Sequence, residues 1–283
     1  GIFYAIAWAL LLAPGGGMIN VWLRDTFHLS ASKGPVNIYS LGGMIWVEGV
    51  KDAPFVYLLI MPLIRSTDSS FEQAARVSGA GIWTVLRRIT IPLSIPGIMS
   101  IVLFRMVRGL EAFEVPAIIG LPKGVTVLAT KIYTVISETH SYSMANAYGL
   151  GLMAITAVGL YLYQRMMQQS YRYVTITGRT TVAGKIDLGR WRWLPTLFLA
   201  GYILVVSVLP IGALIWFAII PRFVQPSIEA LSLITLGNFA KALQIPYAVT
   251  AIWNTLIVAV GTATICVLIA SIVSWLTVRT KLR

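Results

Sequence analysis

The fold is decided by the last long apolar run of the chain. Residues 251–278 read AIWNTLIVAVGTATICVLIASIVSWLTV and include no charged residue. As a helix with a rise of 1.5 Å per residue this run would be about 42 Å long, which exceeds the ~30 Å of a bilayer's hydrocarbon core. The run therefore predicts a membrane-spanning helix.

Other segments of the chain extend this prediction. Residues 147–167 and 194–220 are comparable apolar runs, and residues 2–13 form a shorter one. Residues 53–64 are a weak candidate because they are few, and residues 93–119 are weak because they include charged side chains. Together these segments predict an all-α polytopic membrane protein with about six transmembrane helices.

The composition excludes several other classes of protein. The chain has 283 residues, of which 57% are hydrophobic and 11% charged, and its mean hydropathy is +0.80. In a soluble domain about a quarter of the residues carry charge, so a disordered tail or an ordinary soluble enzyme is excluded. The net charge of +12 comes from too few cations to form the dense face that nucleic acid requires. We therefore expect no nucleic-acid partner.

The distribution of cations predicts the orientation of the six spans. With all six crossing, one side of the membrane receives residues 65–92, 165–193 and 279–283. These stretches hold 13 Lys and Arg residues, whereas 15–52, 114–146 and 221–250 on the other side hold seven. Because loops rich in Lys and Arg stay in the cytoplasm, residues 66–92 are predicted to form a cytoplasmic loop. Residue 1 is Gly and the chain ends on the basic flank of a span, so we expect a fragment.

The loop at 66–92 carries the most informative pattern. It reads STDSSFEQAARVSGAGIWTVLRRITIP, which predicts a serine-capped helix, a glycine break, a second amphipathic turn and a proline that opens the next span. One face of the first helix is small and apolar and consists of Phe71, Ala74, Ala75 and Ser78. Such a face fits the groove of a partner protein. The alternative is an interfacial helix that lies on anionic lipid through its arginines.

The same loop resembles the EAA loop of permease subunits from binding-protein-dependent ATP-binding-cassette (ABC) importers. In that family a Glu-Ala-Ala run is followed by Gly-Ala and later by Ile-x-Leu-Pro. The matching residues are Ala74, Ala75, Gly79, Ala80, Ile89 and Pro92. The chain departs from the pattern at Gln73, where glutamate is usual although Glu72 stands beside it, at Ser78 and at Ile91. The resemblance implies an ATPase-coupling loop that includes Glu72, Gln73, Ala74, Ala75, Ser78, Gly79, Ala80, Ile89 and Pro92.

The resemblance also implies a fold, partners and a location. We expect a type I ABC importer permease fold, with no catalytic residue, no metal and no cofactor in this chain. ATP hydrolysis is expected on separate ABC ATPase subunits, in the form of a homodimer. A periplasmic substrate-binding protein would deliver the solute, and the permease would lie in the bilayer of the bacterial inner membrane as a multi-pass protein.

Residues outside the loop refine this assignment. Residues 1–20 resemble the third span of such a permease and the loop after it, and residues 111–116 and 131–133 resemble the fifth span and its outer loop in a ferric-iron-type subgroup. In that subgroup two permease domains are fused in one polypeptide. The expected organisation is the C-terminal part of a first permease domain at 1–167, a cytoplasmic linker at 168–193, and the N-terminal part of a second domain at 194–283. Ferric iron is the implied substrate, and thiamine, phosphonate and polyamine are the alternatives. Within the linker, Arg190, Trp191, Arg192 and Trp193 predict an interfacial anchor.

Four charged residues inside a predicted span form a second candidate site. They recur every third residue, so on one helix they cover about half of its surface, and they are Arg105, Arg108, Glu111 and Glu114. Ionisable groups at membrane depth are costly and mark pathways or packing pairs, so the hypotheses are a translocation path and an ion pair near the membrane surface. Arg108 and Glu111 are spaced for such a pair. An ion-coupled secondary transporter is a further alternative, although its broken helices with buried acids are not evident.

Overall fold

The computed structural model describes residues 1–29, 34–65, 74–75, 77–170 and 189–279. Every regular element within these ranges is helical, which confirms the predicted all-α class. The chain forms two compact units, Gly1–Ala213 and Leu214–Arg283.

The first unit contains most of the helices. They are α1 (Ile2–Leu12), α2 (Met18–Phe27), α3 (Leu41–Arg65), α4 (Ile82–Leu110), α5 (Leu128–Thr139), α6 (Tyr142–Ser170) and the start of α7 (Gly189–Ile219). Short helical turns at Pro116–Gly120 and Leu121–Lys123 precede α5. In the second unit, a turn at Glu229–Leu233 is followed by α8 (Gly237–Gln244) and α9 (Ala248–Arg279).

Four helices among the described residues are long and apolar enough to cross a bilayer. They are α4, the Tyr142–Arg165 part of α6, α7 and α9. The pair Pro116–Lys123 and Leu128–Thr139, bent by 69°, makes a fifth span if its two parts are counted together. α1 is apolar but has 11 residues, and α3 has 25 residues but includes four charged ones.

The predicted span at 93–119 is wrong at its end. Helix α4 stops at Leu110, where the Ala112 N–H bonds the Gly109 carbonyl at 3.2 Å and closes a tight turn. A helix continued through Pro116 would lose the N–H that bonds the carbonyl of Ala112. The chain instead places Pro116 in the first turn of a new helical segment, where the N–H groups have no partner within the helix and a missing one costs nothing. The four charged residues therefore do not share one helix.

Prolines also explain three wide helical turns. The π-helical segments Leu86–Thr90, Pro116–Gly120 and Leu204–Val208 each end two residues before a proline. A proline ring clashes with the carbonyl four residues earlier, and a π turn relieves this clash by moving that carbonyl away. The residue before each proline accordingly donates its N–H to the carbonyl five residues earlier, as Ile91 does to Leu86.

The core of the first unit lies between α1, α3 and the segment after α4. Trp8 and Leu11 of α1 pack with Val47 of α3 and with Ile119, and all four are at most 3% exposed. Beside this core, Asn20 is fully buried and its amide group donates to the carbonyls of Leu12, Ala13 and Val36 at 2.7–3.1 Å. The C-terminal end of α1 is thereby tied to the loop before α3.

Candidate functional site

The coupling segment, residues 74–92, begins with the end of a helix. Residues 74, 75 and 77 are helical, and the Ser78 N–H and hydroxyl both donate to the Ala74 carbonyl, at 3.0 and 2.9 Å. Gly79 follows with φ = +84°, and the Ala80 N–H bonds the Ala75 carbonyl at 2.9 Å. This arrangement is a Schellman C-cap, in which the left-handed residue is usually glycine. The predicted glycine break is thus a defined turn.

Two of the predicted coupling residues, Glu72 and Gln73, lie outside the described residues. Their contribution to an ATPase contact stays a prediction.

The second half of the coupling segment is continuous with a spanning helix. Gly81 is extended (φ −68°, ψ 156°), and its carbonyl accepts the N–H groups of Thr84 and Val85 at 3.0 and 3.1 Å. Ile89 lies in the π segment of α4, and Pro92 lies just beyond it. The prediction that Pro92 opens the span is wrong, because the widened turn accommodates the proline inside a helix that already begins at Ile82.

The coupling segment exposes large apolar side chains. Val77 is 90% exposed and Trp83 is 74% exposed, and Ile82 is about half exposed. Val85, one turn further, is buried. Exposed apolar side chains that cluster on a short segment mark an interaction site.

The charged residues of the predicted path separate into two groups. Arg105 forms an ion pair with Asp52 of α3, and both side chains are about four-fifths buried. Lys51 bonds Glu48 at 2.9 Å and reaches Glu114 at 3.9 Å. We call these five residues the charged cluster.

The other two charged residues form an exposed pair. Arg108 and Glu111 bond at 3.0 Å, with side chains 59% and 51% exposed, which confirms the pairing that their spacing predicts. Neither makes an ion pair with the charged cluster among the described residues.

Three members of the charged cluster were not predicted as site residues. Glu48, Lys51 and Asp52 stand before the weak apolar segment 53–64, and helix α3 begins well upstream of it at Leu41. Their spacing of three and four residues places them on one helical face, which is the signal that was available in the sequence. One carboxylate oxygen of Glu48, Oε2, is buried without a hydrogen-bond partner among the described residues.

No metal site is evident in the described part of the chain. No group of three or more His, Cys, Asp or Glu side chains is placed there to hold an ion. His28 and His140 each end a helix in a left-handed conformation, with φ of 48° and 51°.

Comparison with known proteins gives the family. Residues 33–174, which include the coupling segment and the charged cluster, match the binding-protein-dependent transport system inner membrane component family. The chain belongs to this family. Its long apolar helices are those that an inner membrane component of this family requires.

Several curated permeases resemble the chain. The molybdenum transport permease ModB of Escherichia coli K12 is 27% identical over 158 residues, which are 55% of this chain and 66% of ModB. A probable ABC transporter permease of Sinorhizobium fredii, y4fN, is 24% identical over 231 residues, or 78% of this chain and 39% of y4fN. The ferric transport permease FbpB of Actinobacillus pleuropneumoniae is 24% identical over 144 residues, or 50% of this chain and 20% of FbpB. The chain thus covers two thirds or less of each relative, and no solved structure matches it significantly.

Proposed function

We propose that the chain is the membrane-spanning part of an ATP-driven importer in the bacterial inner membrane. It would pass a solute from a periplasmic binding protein to the cytoplasm, and it would couple to separate ATPase subunits through the coupling segment. The observation that carries this proposal is the exposure of Val77 just before the Schellman turn and of Trp83 just after it, at the start of a 29-residue spanning helix.

The coupling contact follows from the physical character of the segment. A groove on an ATPase subunit that covers Val77 and Trp83 removes apolar surface from water, which contributes roughly 25 cal/mol for each Å² buried. The Schellman turn holds the two side chains in one geometry before binding, so little conformational entropy is lost on docking.

The candidate translocation path lies toward the far end of the same helix. It would comprise Arg105, Arg108, Glu111 and Glu114, of which Arg105 and Glu114 belong to the charged cluster. Helix α4 runs from Ile82 through Arg105 and Arg108 without interruption. A displacement of the coupling segment would therefore reach the charged cluster through the helix itself.

Ferric iron is the first candidate substrate, and the likeness to FbpB supports it. A polyamine is the second, supported by the spermidine/putrescine permease PotB of Haemophilus influenzae, which is 26% identical over 154 residues. Thiamine and phosphonate stay as further alternatives. The proposed organisation is a first permease domain ending near 167, a linker at 168–193, and a second domain beginning at 194.

The test replaces one exposed apolar residue in the full-length permease. In Val77→Asp a charge enters the proposed contact, and we expect ATP-dependent uptake into proteoliposomes to fall at least tenfold, with loss of ATPase co-purification. Ile228→Asp is the matched control, because Ile228 is 89% exposed in a loop of the second unit. Uptake of ferric iron, spermidine and molybdate is measured with the cognate binding protein. Equal co-purification and uptake in Val77→Asp and wild type would refute the coupling role.

A further inference from the structure

The first turn of α7 combines arginine and tryptophan in an exposed position. Residues Gly189–Arg192 form a 3₁₀ turn that continues into the helix at Trp193. Trp191 is 70% exposed and Trp193 is 56% exposed, and the neighbouring Arg190 and Arg192 are also exposed. We call residues 190–193 the α7 start segment.

The two arginines of the α7 start segment have no acidic partner among the described residues. The ion pairs seen there involve the Gly1 amino group, Lys51, Arg105 and Arg108. Within the part of the chain that the structure describes, Arg190 and Arg192 thus present two positive charges, within three residues, that no carboxylate pairs. Each guanidinium has a donor fork that matches the oxygens of a phosphate group.

The position of the α7 start segment places these charges at a membrane boundary. The segment opens a helix of 31 residues that is apolar enough to span a bilayer. Arg190 and Trp193 are three residues apart and so are neighbours on the helix surface. Tryptophan at a membrane boundary places its ring among the acyl chains and its N–H toward the headgroups.

Two other spanning helices also have an exposed aromatic residue about one turn from an arginine. In both, the pair lies at the helix end that the distribution of cations predicts to be cytoplasmic. In α6, Tyr161 is 62% exposed and Arg165 follows four residues later. In α9, Trp275 is 62% exposed and Arg279 follows at the same spacing. In each helix the aromatic residue lies one turn nearer the middle of the span than the arginine. The combination is densest in the α7 start segment, with two residues of each kind.

We propose that the α7 start segment binds the headgroup of an anionic phospholipid of the surrounding bilayer. Arg190 and Arg192 hold the phosphodiester, and Trp191 and Trp193 pack against the glycerol and the upper acyl chain. The adjoining apolar helix distinguishes a lipid from free phosphate or nucleic acid, because only the lipid has a hydrophobic part to lie along it. An arginine near an anionic membrane surface strengthens binding about fivefold, so the pair is expected to contribute roughly 25-fold.

The experiment uses the full-length permease in complex with its ATPase, purified in detergent. Phosphatidylglycerol or phosphatidylcholine with identical acyl chains is added in increasing amounts. Bound lipid is counted by native mass spectrometry. Wild type is expected to prefer phosphatidylglycerol, and Arg190→Gln/Arg192→Gln is expected to lose roughly 25-fold in its affinity for this lipid, with unchanged binding of phosphatidylcholine. Arg190→Lys/Arg192→Lys, which keeps the charge, is expected to retain most of the affinity.

The control removes the same charge elsewhere. Arg222→Gln/Lys241→Gln neutralises two exposed cations of the second unit, one in a loop and one in α8, and is expected to change the phosphatidylglycerol affinity less than twofold. An equal loss in this control would overturn the proposal, because net charge would then explain the binding. Undiminished affinity in Arg190→Gln/Arg192→Gln, or displacement of the lipid by an equal concentration of inorganic phosphate, would also overturn it.

Discussion

At the scale of single residues, the coupling segment depends on two glycines with different backbone requirements. Gly79 has φ = +84°, and Gly81 has φ = −68°. A Cβ atom added at either position would meet no atom within 4 Å. The two positions therefore differ in backbone conformation and not in the space available.

This difference allows a matched pair of variants that tests the backbone conformation of the turn. Gly79→Ala forces a side chain into the left-handed region and raises the free energy of the turn by about 1 kcal/mol, whereas Gly81→Ala leaves its backbone in an allowed region. We expect a severalfold loss of ATP-dependent uptake for Gly79→Ala and wild-type uptake for Gly81→Ala, at equal protein levels in the membrane. Similar uptake rates for the two variants would show that the turn does not determine coupling.

Charged residues at the other end of α4 make a second prediction. The Asp52 and Arg105 side chains are 21% and 23% exposed, so an unpaired charge there is poorly solvated. Asp52→Asn is expected to destabilise the protein by about 2 kcal/mol, less than the 3–5 kcal/mol typical of fully buried pairs. The measurement is thermal unfolding of the purified permease in detergent.

The exposed pair supplies the control for this prediction. Arg108 and Glu111 are more than half exposed, so Arg108→Gln is expected to cost about 0.5 kcal/mol. The double variant Asp52→Asn/Arg105→Gln is expected to recover at least half of the loss, since no unpaired charge remains. A double variant no more stable than Asp52→Asn would contradict the ion pair.

At the scale of elements, the prolines leave helix carbonyls without their usual partners. In α7, Pro210 has no N–H to donate to the carbonyl of Val206, four residues earlier. The Tyr4 hydroxyl of α1 donates to this carbonyl at 2.9 Å. A side chain from another helix thus replaces the backbone hydrogen bond that the proline removes.

The replacement predicts an interaction between two substitutions. Tyr4→Phe removes the donor from a half-buried carbonyl and is expected to cost about 1 kcal/mol in thermal unfolding. Pro210→Ala restores a backbone N–H, so Tyr4→Phe is expected to cost clearly less in that background. Tyr133→Phe serves as control, because the Tyr133 ring packs on Phe113 at 5.3 Å and its hydroxyl has no hydrogen bond among the described residues. Equal costs of Tyr4→Phe in both backgrounds would refute the replacement.

At the scale of the whole molecule, uninterrupted apolar runs were predictable and pairings between distant residues were not. The runs at 147–167, 194–220 and 251–278 lie within or nearly coincide with Tyr142–Ser170, Gly189–Ile219 and Ala248–Arg279. Segments with charges were assigned less well, because the partner that neutralises Arg105 stands 53 residues away in the sequence. Local patterns predicted the glycine turn, whereas the charged cluster depends on how α3 and α4 pack.

Because α4 is continuous, a small tilt at one of its ends produces a larger displacement near the other end. Arg105 lies 23 residues beyond Ile82, or about 35 Å along the helix at 1.5 Å per residue, so a tilt of about 10° about the loop end of α4 moves Arg105 by about 6 Å. This displacement exceeds the few ångströms over which a salt bridge holds. A modest rotation at the loop end is therefore sufficient to make or break the Asp52–Arg105 contact outright, so this contact would switch between two states and would not change gradually.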